Sequence, residues 1–289
     1  MPKLPSDEES VPDMTPGPVK GSLPLKWHGG KFYLADKIIK MFPSHIHYVE
    51  PYFGGGAVLF RKPHSNVSEV TNDINNELMN FWRVLQSPSW FEGFRQWCEA
   101  TPFSEESYNR AVASVQSSKE DHQVVRAWCF FVRYRQSRQG LGKDFATVTR
   151  NRTRRGMNEQ VSSWLSAVEG LQECHERLKR VLILNRPALD VIKTQDGDNT
   201  LFYLDPPYLQ ETRTAKWCFE YEMSAQDHSD LLMALDKIKG KFLLSGYRSK
   251  LYDHYAEQCG WNREEIRIPN NASSSKEKKI MTECVWRNF

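Results

Sequence analysis

Short apolar runs rich in β-branched and aromatic residues recur in two parts of the chain, and polar or glycine residues end each run. In the first part the runs at 46–49 and 67–71 predict strands, and the apolar spacing over 78–85 predicts an amphipathic helix. In the second part five runs predict strands, at 181–184, 201–204, 241–245, 264–268 and 283–286. Helical patterns at 188–193 and 228–238 separate the first three, which predicts parallel strands with helices on both faces. Only a polar loop separates the last two strands, which predicts an antiparallel hairpin.

The middle of the chain, from about residue 86 to 180, has no strand pattern and places apolar residues at helical spacing. The predicted fold class is therefore α/β: a Rossmann-like, mainly parallel sheet with an antiparallel terminal strand, plus a helical insertion. We expect residues 23–85 and 181–289 to form one domain into which 86–180 is inserted. Residues 1–22 contain five prolines and four acids with few aliphatic side chains, which predicts a flexible tail.

Composition argues against several classes of protein. The longest apolar runs are about six residues, far too short to span a bilayer, and the N-terminus lacks the layout of a secretory signal. The six cysteines form no C-x-x-C pair and the eight histidines have no metal-ligand spacing, so no redox motif and no metal site are predicted. Reduced thiols favour a cytoplasmic protein. The net charge of +3 hides an asymmetry, because nine basic residues and one acid lie between Arg126 and Arg155.

A glycine turn follows the first predicted strand. Gly54, Gly55 and Gly56 would let the backbone approach a ligand closely, and Ala57 is expected to begin a helix that presents free N–H groups. A dinucleotide fingerprint needs a third glycine where Leu59 stands, and no Gly-Lys-Ser/Thr follows as in a phosphate-binding loop. The turn therefore indicates a ligand without phosphates, or a structural turn without a ligand.

An acid lies at the end of the second predicted strand. Asp73 comes 19 residues after Gly54, the position at which nucleotide-binding α/β folds bond to ribose hydroxyls. The alternative is that Asp73 caps the following helix. Together with the glycine turn, the ribose-binding interpretation is favoured.

A strand that runs into Asp205-Pro206-Pro207-Tyr208 carries the sharpest chemical signal in the sequence. Two prolines remove two amide donors and leave carbonyl acceptors, and the carboxylate of Asp205 adds another acceptor. Tyr208 offers a flat face. This set suits a planar ring whose exocyclic amino group donates both hydrogens; a strand ended by prolines alone would need neither the acid nor the aromatic residue.

The basic run predicts contact with nucleic acid. A solvated charged face usually mixes both signs, whereas this run is almost wholly positive. Glycines at 140 and 142 would let a loop enter a groove, and arginine and glutamine can bond to base edges, so the candidates for base contact are Arg135, Gln136, Arg138 and Gln139. The candidates for phosphate contact are Arg152, Arg154 and Arg155, and Arg133, Lys143 and Arg150 are assigned to DNA without a specific role.

Four motifs occur in a fixed order: Lys26-Trp27-His28-Gly29-Gly30-Lys31, then Val49-Glu50-Pro51-Tyr52-Phe53-Gly54-Gly55-Gly56-Ala57-Val58, then Asn72-Asp73-Ile74-Asn75, then Asp205-Pro206-Pro207-Tyr208. In this order they resemble the DNA adenine methylase family. The resemblance covers most of the chain from Leu25 onward, and the basic helical stretch lies where one group of the family inserts its target-recognition region. It implies a methyltransferase sheet and methyl transfer from S-adenosylmethionine to the N6 amino group of adenine in duplex DNA. The target base would have to leave the stack.

The resemblance also implies roles for individual residues. Trp27 and Lys31 would help close the cofactor pocket, the glycine turn would pass the methionine part, and Asp73 would hold the ribose. Asp205 would lie between cofactor and base. The cofactor set is completed by Gly30, Glu50, Pro51, Tyr52 and Ile74, and the catalytic set by Pro206, Pro207 and Tyr208. Asp205 and the Pro206 carbonyl would accept the amino hydrogens while the base stacks on Tyr208, with no metal required. A cytoplasmic enzyme of bacterial or phage origin is expected, as a monomer or as a dimer on DNA.

Two alternatives to adenine methylation stay open at this point. Cytosine N4 methylation uses the same amino-group chemistry, but a serine commonly replaces the acid in that branch, so Asp205 favours adenine. A non-catalytic DNA-binding module could retain the fold, but the intact Asp205-Pro206-Pro207-Tyr208 string and Asp73 favour an enzyme. The recognition sequence, and whether the enzyme pairs with a restriction enzyme, are not encoded in these motifs.

Overall fold

The computed structural model describes residues 23–116, 122–146, 149–213, 220–269 and 280–289. The expected tail at 1–22 and the polar loop at 270–278 lie outside them. The strands are β1 (His47–Glu50), β2 (Ser68–Asn72), β3 (Thr153–Arg154), β4 (Met157–Asn158), β5 (Val181–Leu184), β6 (Thr200–Leu204), β7 (Lys241–Gly246), β8 (Asn262–Pro269) and β9 (Ile280–Arg287). The helices are α1 (Ala35–Ile39), α2 (Asn76–Gln86), α3 (Pro88–Glu99), α4 (Glu105–Gln116), α5 (Gln123–Arg135), α6 (Glu159–Glu169), α7 (Leu171–Leu178), α8 (Ala188–Gln195), α9 (Ala225–Leu235) and α10 (Lys250–Cys259).

Seven strands form one sheet in the order β5-β2-β1-β6-β7-β9-β8. The first five are parallel, and β9 runs antiparallel to both β7 and β8. The predicted α/β fold class and the terminal hairpin are therefore confirmed. Chain order reverses at the β1–β6 boundary, and in such sheets ligands bind beyond the carboxyl ends of the strands at that point.

Successive side chains of the buried strand β6 enter two different cores. Leu201 and Tyr203 pack in a core that includes α2, α3, α5, α6 and α7. Phe202 and Leu204 pack on the opposite face against α8, α9 and α10. This alternation follows from the two-residue repeat of a strand, and it explains why β6 reads as a continuous apolar run in the sequence.

The helical middle of the chain shares the core of one sheet face instead of forming a core of its own. The rings of Phe81 on α2 and Phe131 on α5 are stacked with centroids 5.9 Å apart. Deeper in, Arg177 on α7 pairs with Glu69 on β2, with Nη1 and Oε2 2.6 Å apart and both side chains buried. The division into an α/β domain and an insertion at 86–180 therefore stays a prediction.

Two predicted helices differ from the structure. The chain from Ala57 forms turns and no α-helix, because Pro63 lacks the N–H group that the next intrahelical hydrogen bond would need. Helix α9 begins at Ala225, three residues before the predicted 228–238, because Ser224 and Asp227 form a capping box. No helix among the described residues is long and apolar enough to cross a bilayer.

Candidate active site

Three of the predicted site residues lie at the carboxyl ends of β1, β2 and β6, which are neighbours in the sheet. Glu50 ends β1 and leads into the glycine turn, Asp73 follows β2, and Asp205 follows β6. The antiparallel pairing of Gly246 with Cys284 brings the residues before Cys284 on β9 to the same edge. The motifs are far apart in the sequence, and the sheet order alone places them together.

Trp27 covers the glycine turn. Gly54 and Gly56 have positive φ angles of 49° and 69°, a conformation that favours glycine. A Cβ atom on Gly54 would lie 2.7 Å from Nε1 of Trp27, and one on Gly55 would lie 2.6 Å from its Cβ, so larger residues would displace the indole. The other side of Trp27 contacts Tyr134 of α5, with ring centroids 5.3 Å apart. Trp27 thus links the glycine turn to helix α5.

Asp73 ties the glycine turn to the start of α2. Its Oδ2 accepts a hydrogen bond from the N–H of Gly54 at 3.0 Å, and its Oδ1 accepts one from the N–H of Asn75 at 3.0 Å. Desolvation raises the pKa of Asp73 although these backbone bonds lower it. The N-cap of α2 is Asn75, whose Oδ1 accepts from Glu77 and Leu78, so Asp73 is not the capping residue. An ionised carboxylate has about four acceptor positions, which leaves capacity for a ligand hydroxyl.

The remaining cofactor candidates lie around this turn and differ in their exposure and hydrogen bonding. Ile74 is 44% exposed beside Asp73 and presents apolar surface that a ring could cover. Glu50 is buried and accepts a hydrogen bond from Tyr48 at 2.7 Å, and desolvation raises its pKa to about 8. Asn72 donates to the Pro51 carbonyl at 3.0 Å and so holds the chain that leads to Tyr52. Gly30 closes a turn by donating its N–H to the Trp27 carbonyl.

Lys31 lies in the Asp205 cluster, which also contains Glu283 and Tyr208. Its Nζ lies 2.8 Å from Oδ1 of Asp205 and 3.6 Å from Oε1 of Glu283, and it donates to the Gly29 carbonyl. Burial alone would lower the pKa of Lys31, but attraction to the two carboxylates outweighs it and the pKa is raised. Lys31 therefore supplies the positive charge that holds Asp205 in place.

Tyr208 completes the cluster around the same oxygen. Its hydroxyl lies 3.2 Å from Oδ1 of Asp205 and also contacts Oε1 of Glu283. Among the described residues, both polar contacts of the Asp205 carboxylate are thus to Oδ1, which leaves its second oxygen available. The Nζ of Lys31 lies over the ring of Tyr208, 4.8 Å from the centroid, and Tyr247 packs edge-on against it. Pro206 is buried and Pro207 half-buried beside this cluster.

A tight loop at 137–145 lies beside the motif that carries Trp27 and Lys31. Ser137 and Phe145 form an antiparallel bridge that closes the loop. A Cβ on Gly140 would lie 2.2 Å from the Lys26 carbonyl, so glycine is required for this close approach. Arg133 supports the loop from α5 by donating to the Gly142 carbonyl at 2.8 Å. Three candidate DNA contacts are exposed on it: Arg138, Gln139 and Lys143.

Two predicted base contacts lie in the interior instead. Arg135 is 5% exposed and donates to the Ser163 carbonyl at 2.7 Å, and burial lowers its pKa to about 10. Gln136 is fully buried, donates to the Pro102 carbonyl and accepts from the N–H of Ser104. In this conformation neither side chain can reach a base edge. Both hold the end of α5 against its neighbours.

The remaining arginines surround the hairpin formed by β3 and β4 and are exposed. Arg155 pairs with Glu169 of α6 at 2.9 Å, and Arg152 lies 3.8 Å from Glu159. Arg150 and Arg154 are exposed as well. Their assignment to phosphate contact stays a prediction, with Arg155 already engaged by a carboxylate.

Glu283 had no predicted role and lies in the Asp205 cluster, in contact with Lys31 and Tyr208. Its signal was a single acid in the otherwise apolar predicted strand 283–286, whose buried position needed a partner. Among the described residues, no group of three or more His, Cys, Asp or Glu side chains is arranged to hold a metal ion.

The fold and the site together define a Rossmann-like methyltransferase: a glycine turn after the first strand, an acid after the second and the Asp-Pro-Pro-Tyr string after β6. Residues 27–268 match the family model described as D12 class N6 adenine-specific DNA methyltransferase. Because this match covers most of the chain, the protein belongs to that family, and its activity is the adenine-specific methylation of DNA.

Individual relatives agree with this assignment. The type II methyltransferase M1.LlaDCHI of Lactococcus lactis subsp. cremoris is 27% identical over 280 residues, which cover 91% of this chain and 94% of the relative. A DNA adenine methylase of Vibrio cholerae serotype O1 is 24% identical over 201 residues, 67% of each chain. The DNA N-6-adenine-methyltransferase of Escherichia phage P1 is 38% identical over 62 residues, 22% of this chain and 8% of that protein.

Proposed function

We propose that this chain transfers a methyl group from S-adenosylmethionine to the N6 amino group of adenine in double-stranded DNA. The observation that carries the proposal is the position of Asp205 at the end of β6, beside the strand that leads into the glycine turn. A methyl donor held at the turn and an amino group held at Asp205 would face each other across one strand spacing, about 4.8 Å.

The residues at the turn fit the proposed donor. Asp73 has acceptor capacity for ribose hydroxyls, exposed Ile74 offers an apolar surface for a base ring, and the glycine backbone permits close approach. S-adenosylmethionine, when bound, supplies a methyl group on a positively charged sulfur. Buried Glu50, at the end of β1, adds a polar group on the same side of the sheet.

Asp205 performs the central task of orienting the amino nitrogen. The lone pair of that nitrogen is delocalised into the adenine ring, so accepting its hydrogens favours a tetrahedral nitrogen with an available lone pair. Lys31 and Tyr208 hold Oδ1 of Asp205, and its second oxygen is free to accept one amino hydrogen while the Pro206 carbonyl accepts the other. Positioning and electrostatics thereby lower the barrier without a covalent enzyme intermediate.

DNA would lie across the loop at 137–145 and the β3–β4 hairpin. Exposed Arg138, Gln139 and Lys143 are close to the Lys26–Lys31 segment, and Lys143 and Arg213 both help lower the pKa of half-buried His28 after the larger effect of burial. This cationic rim favours a polyanion. We assign base contact to the loop and phosphate contact to the hairpin. Extrusion of the adenine would cost roughly a few kcal/mol, offset in part by stacking on an aromatic ring.

Expression in a host without background adenine methylation should produce N6-methyladenine at one short DNA sequence. Long-read sequencing of the host DNA measures the modification, and a strain that expresses Asp205→Ala is the control. N4-methylcytosine in its place would favour the cytosine alternative. DNA binding without any modification would favour the non-catalytic one. We place the enzyme in the cytoplasm and expect a monomer in solution, or a dimer on DNA.

Single arginine replacements should show that the loop at 137–145 and the β3–β4 hairpin contribute differently to DNA binding. Arg138→Ala should cost about 1–3 kcal/mol of binding free energy on the cognate site only, because a base contact is lost. Arg154→Ala should weaken binding to all sequences alike and lower the slope of log affinity against log salt by about one. Titrations on cognate and scrambled duplexes measure both effects.

The matched control is Arg95→Ala, since Arg95 is engaged by Glu92 and Glu99 on α3, outside the basic run. If Arg138 and Arg154 variants behave like this control, recognition lies elsewhere on the protein.

A further inference from the structure

Glu283 is a buried carboxyl group of the Asp205 cluster. Its side chain is 3% exposed, on a strand whose neighbours Cys284, Val285 and Trp286 are apolar and buried. Oε1 of Glu283 contacts the hydroxyl of Tyr208 and lies 3.6 Å from Nζ of Lys31. Glu283 therefore touches both residues that hold Asp205. Burying a carboxylate is costly unless it is paired, so its position requires an explanation.

The number of hydrogens available for hydrogen bonds favours one protonation state of Glu283. The hydroxyl oxygen of Tyr208 contacts Asp205 and Glu283, but Tyr208 has one hydrogen to donate. If both carboxylates are ionised, one of the two contacts has no hydrogen. If Glu283 is protonated, it donates to Tyr208 and Tyr208 donates to Asp205, and both contacts are satisfied.

The charges in the cluster also favour the protonated form of Glu283. Among the residues that the structure describes, the cation in direct contact with Glu283 is Lys31, which lies nearer to Asp205, so a second ionised carboxylate would leave a net negative charge on these buried groups. Desolvation raises the pKa of Glu283, although Lys31 and Tyr208 lower it. Within the part of the chain that the structure describes, the other titratable groups that face Glu283 are Asp205 after β6, Tyr203 on β6, Tyr247 after β7 and Cys284 on β9 itself.

We propose that Glu283 is a positioning residue of the methyl-transfer reaction, which acts in its protonated form by directing the Tyr208 hydroxyl onto Oδ1 of Asp205. This inference rests on the proposed function of Asp205. When Glu283 ionises, Tyr208 donates to Glu283 instead, Lys31 is shared between two carboxylates, and Asp205 loses one of its two supports. Because a raised pKa keeps the proton on to higher pH, the methyl-transfer rate should fall as the pH rises through that pKa.

Glu283→Gln separates this role from a merely structural one, because the amide is neutral and can still donate to Tyr208. Single-turnover methyl transfer at neutral pH should be faster than in Glu283→Leu, and the alkaline fall in rate should disappear, because position 283 no longer carries a carboxyl group. Glu283→Leu fills the space without a donor and should be slower by about tenfold at every pH. The control is Glu265→Gln on the adjacent strand β8, whose exposed side chain lies outside the cluster and should keep the wild-type profile.

A second measurement needs neither cofactor nor DNA. The infrared difference spectrum between wild type and Glu283→Gln at neutral pH should contain the carbonyl band of a protonated carboxylic acid in the wild type. A carboxylate band in its place would overturn the proposal. Superimposable pH profiles for wild type and Glu283→Gln would do the same, as would a Gln variant as slow as the Leu variant.

These experiments distinguish a failure of the role proposed for Glu283 from a failure of the proposed function. If wild type methylates adenine and Asp205→Ala does not, but the Glu283 results fail, only the role of Glu283 is lost. If wild type does not methylate adenine, the proposed function fails, and the infrared result still reports the protonation of Glu283. Thermal unfolding midpoints of all variants check that each one is folded.

Discussion

Replacing Asp205 by alanine should abolish methyl transfer while the protein stays folded. The carboxylate lies beyond the end of β6 and is partly exposed, so it supports no part of either core. Its removal leaves the amino group without its acceptor and leaves Lys31 with the Gly29 carbonyl and Glu283 as its described polar neighbours. Losing a side chain that accepts a hydrogen bond from the reacting group typically lowers the rate by about 10²–10⁴-fold. Single-turnover assays on a duplex that contains the cognate site measure the loss.

Asp205→Asn should keep weak activity, because an amide oxygen still accepts one hydrogen bond, although the attraction to Lys31 is lost. Asp198→Ala is the matched control, since that exposed aspartate lies at the opposite end of β6, away from the site. Near-normal turnover in Asp205→Ala, with an unchanged melting temperature, would contradict the catalytic assignment.

Replacing Asp73 by alanine should weaken binding of S-adenosylmethionine by about 1.5–3 kcal/mol, roughly 10- to 150-fold, which is typical of hydrogen bonds to a charged acceptor. The loss has two physical parts. Ribose hydroxyls lose their acceptor, and the N–H of Gly54 loses the partner that fixes the glycine turn. Isothermal titration calorimetry with S-adenosylmethionine measures the affinity, and DNA affinity without cofactor should change little.

The control for Asp73 is Asn75→Ala, which removes the N-cap of α2. It should cost about 1 kcal/mol of unfolding free energy with a smaller effect on cofactor affinity. If the two variants reduce stability equally and Asp73→Ala leaves cofactor affinity unchanged, Asp73 serves only to support the turn.

Local sequence patterns were sufficient for most of the fold. Alternation and apolar runs depend on neighbouring residues, so the seven strands of the main sheet, the helices after β2, β5 and β6 and the terminal hairpin were predictable, whereas β3, β4, α1 and α10 were not predicted. The prediction of a helix that begins at Ala57 was wrong. It was based on the apolar residues after the glycine turn, and Pro63, which interrupts helical hydrogen bonding, lies beyond them. The early start of α9 depends on a side-chain cap at Ser224, which apolar periodicity does not report.

The basic run illustrates a different limit. Its charge excess was visible in the sequence, but which side chains are buried depends on the segments packed around the end of α5, and local composition does not report that packing. Arg135 and Gln136 consequently point into the interior, whereas Arg138 and Gln139, just beyond the end of α5, are exposed. The sequence indicated which segment is cationic, and packing decided which of its side chains can meet DNA.

By itself, the sequence determined the α/β class, the glycine turn, the acid after the second strand and the Asp205-Pro206-Pro207-Tyr208 string, because each is encoded by adjacent residues. Only the tertiary structure decided that Lys31 holds Asp205 and that Glu283 joins them. These three residues come from a loop before α1, the end of β6 and the last strand. Strand order and burial bring them together, since a charged side chain in the interior must find its partner wherever the fold places one.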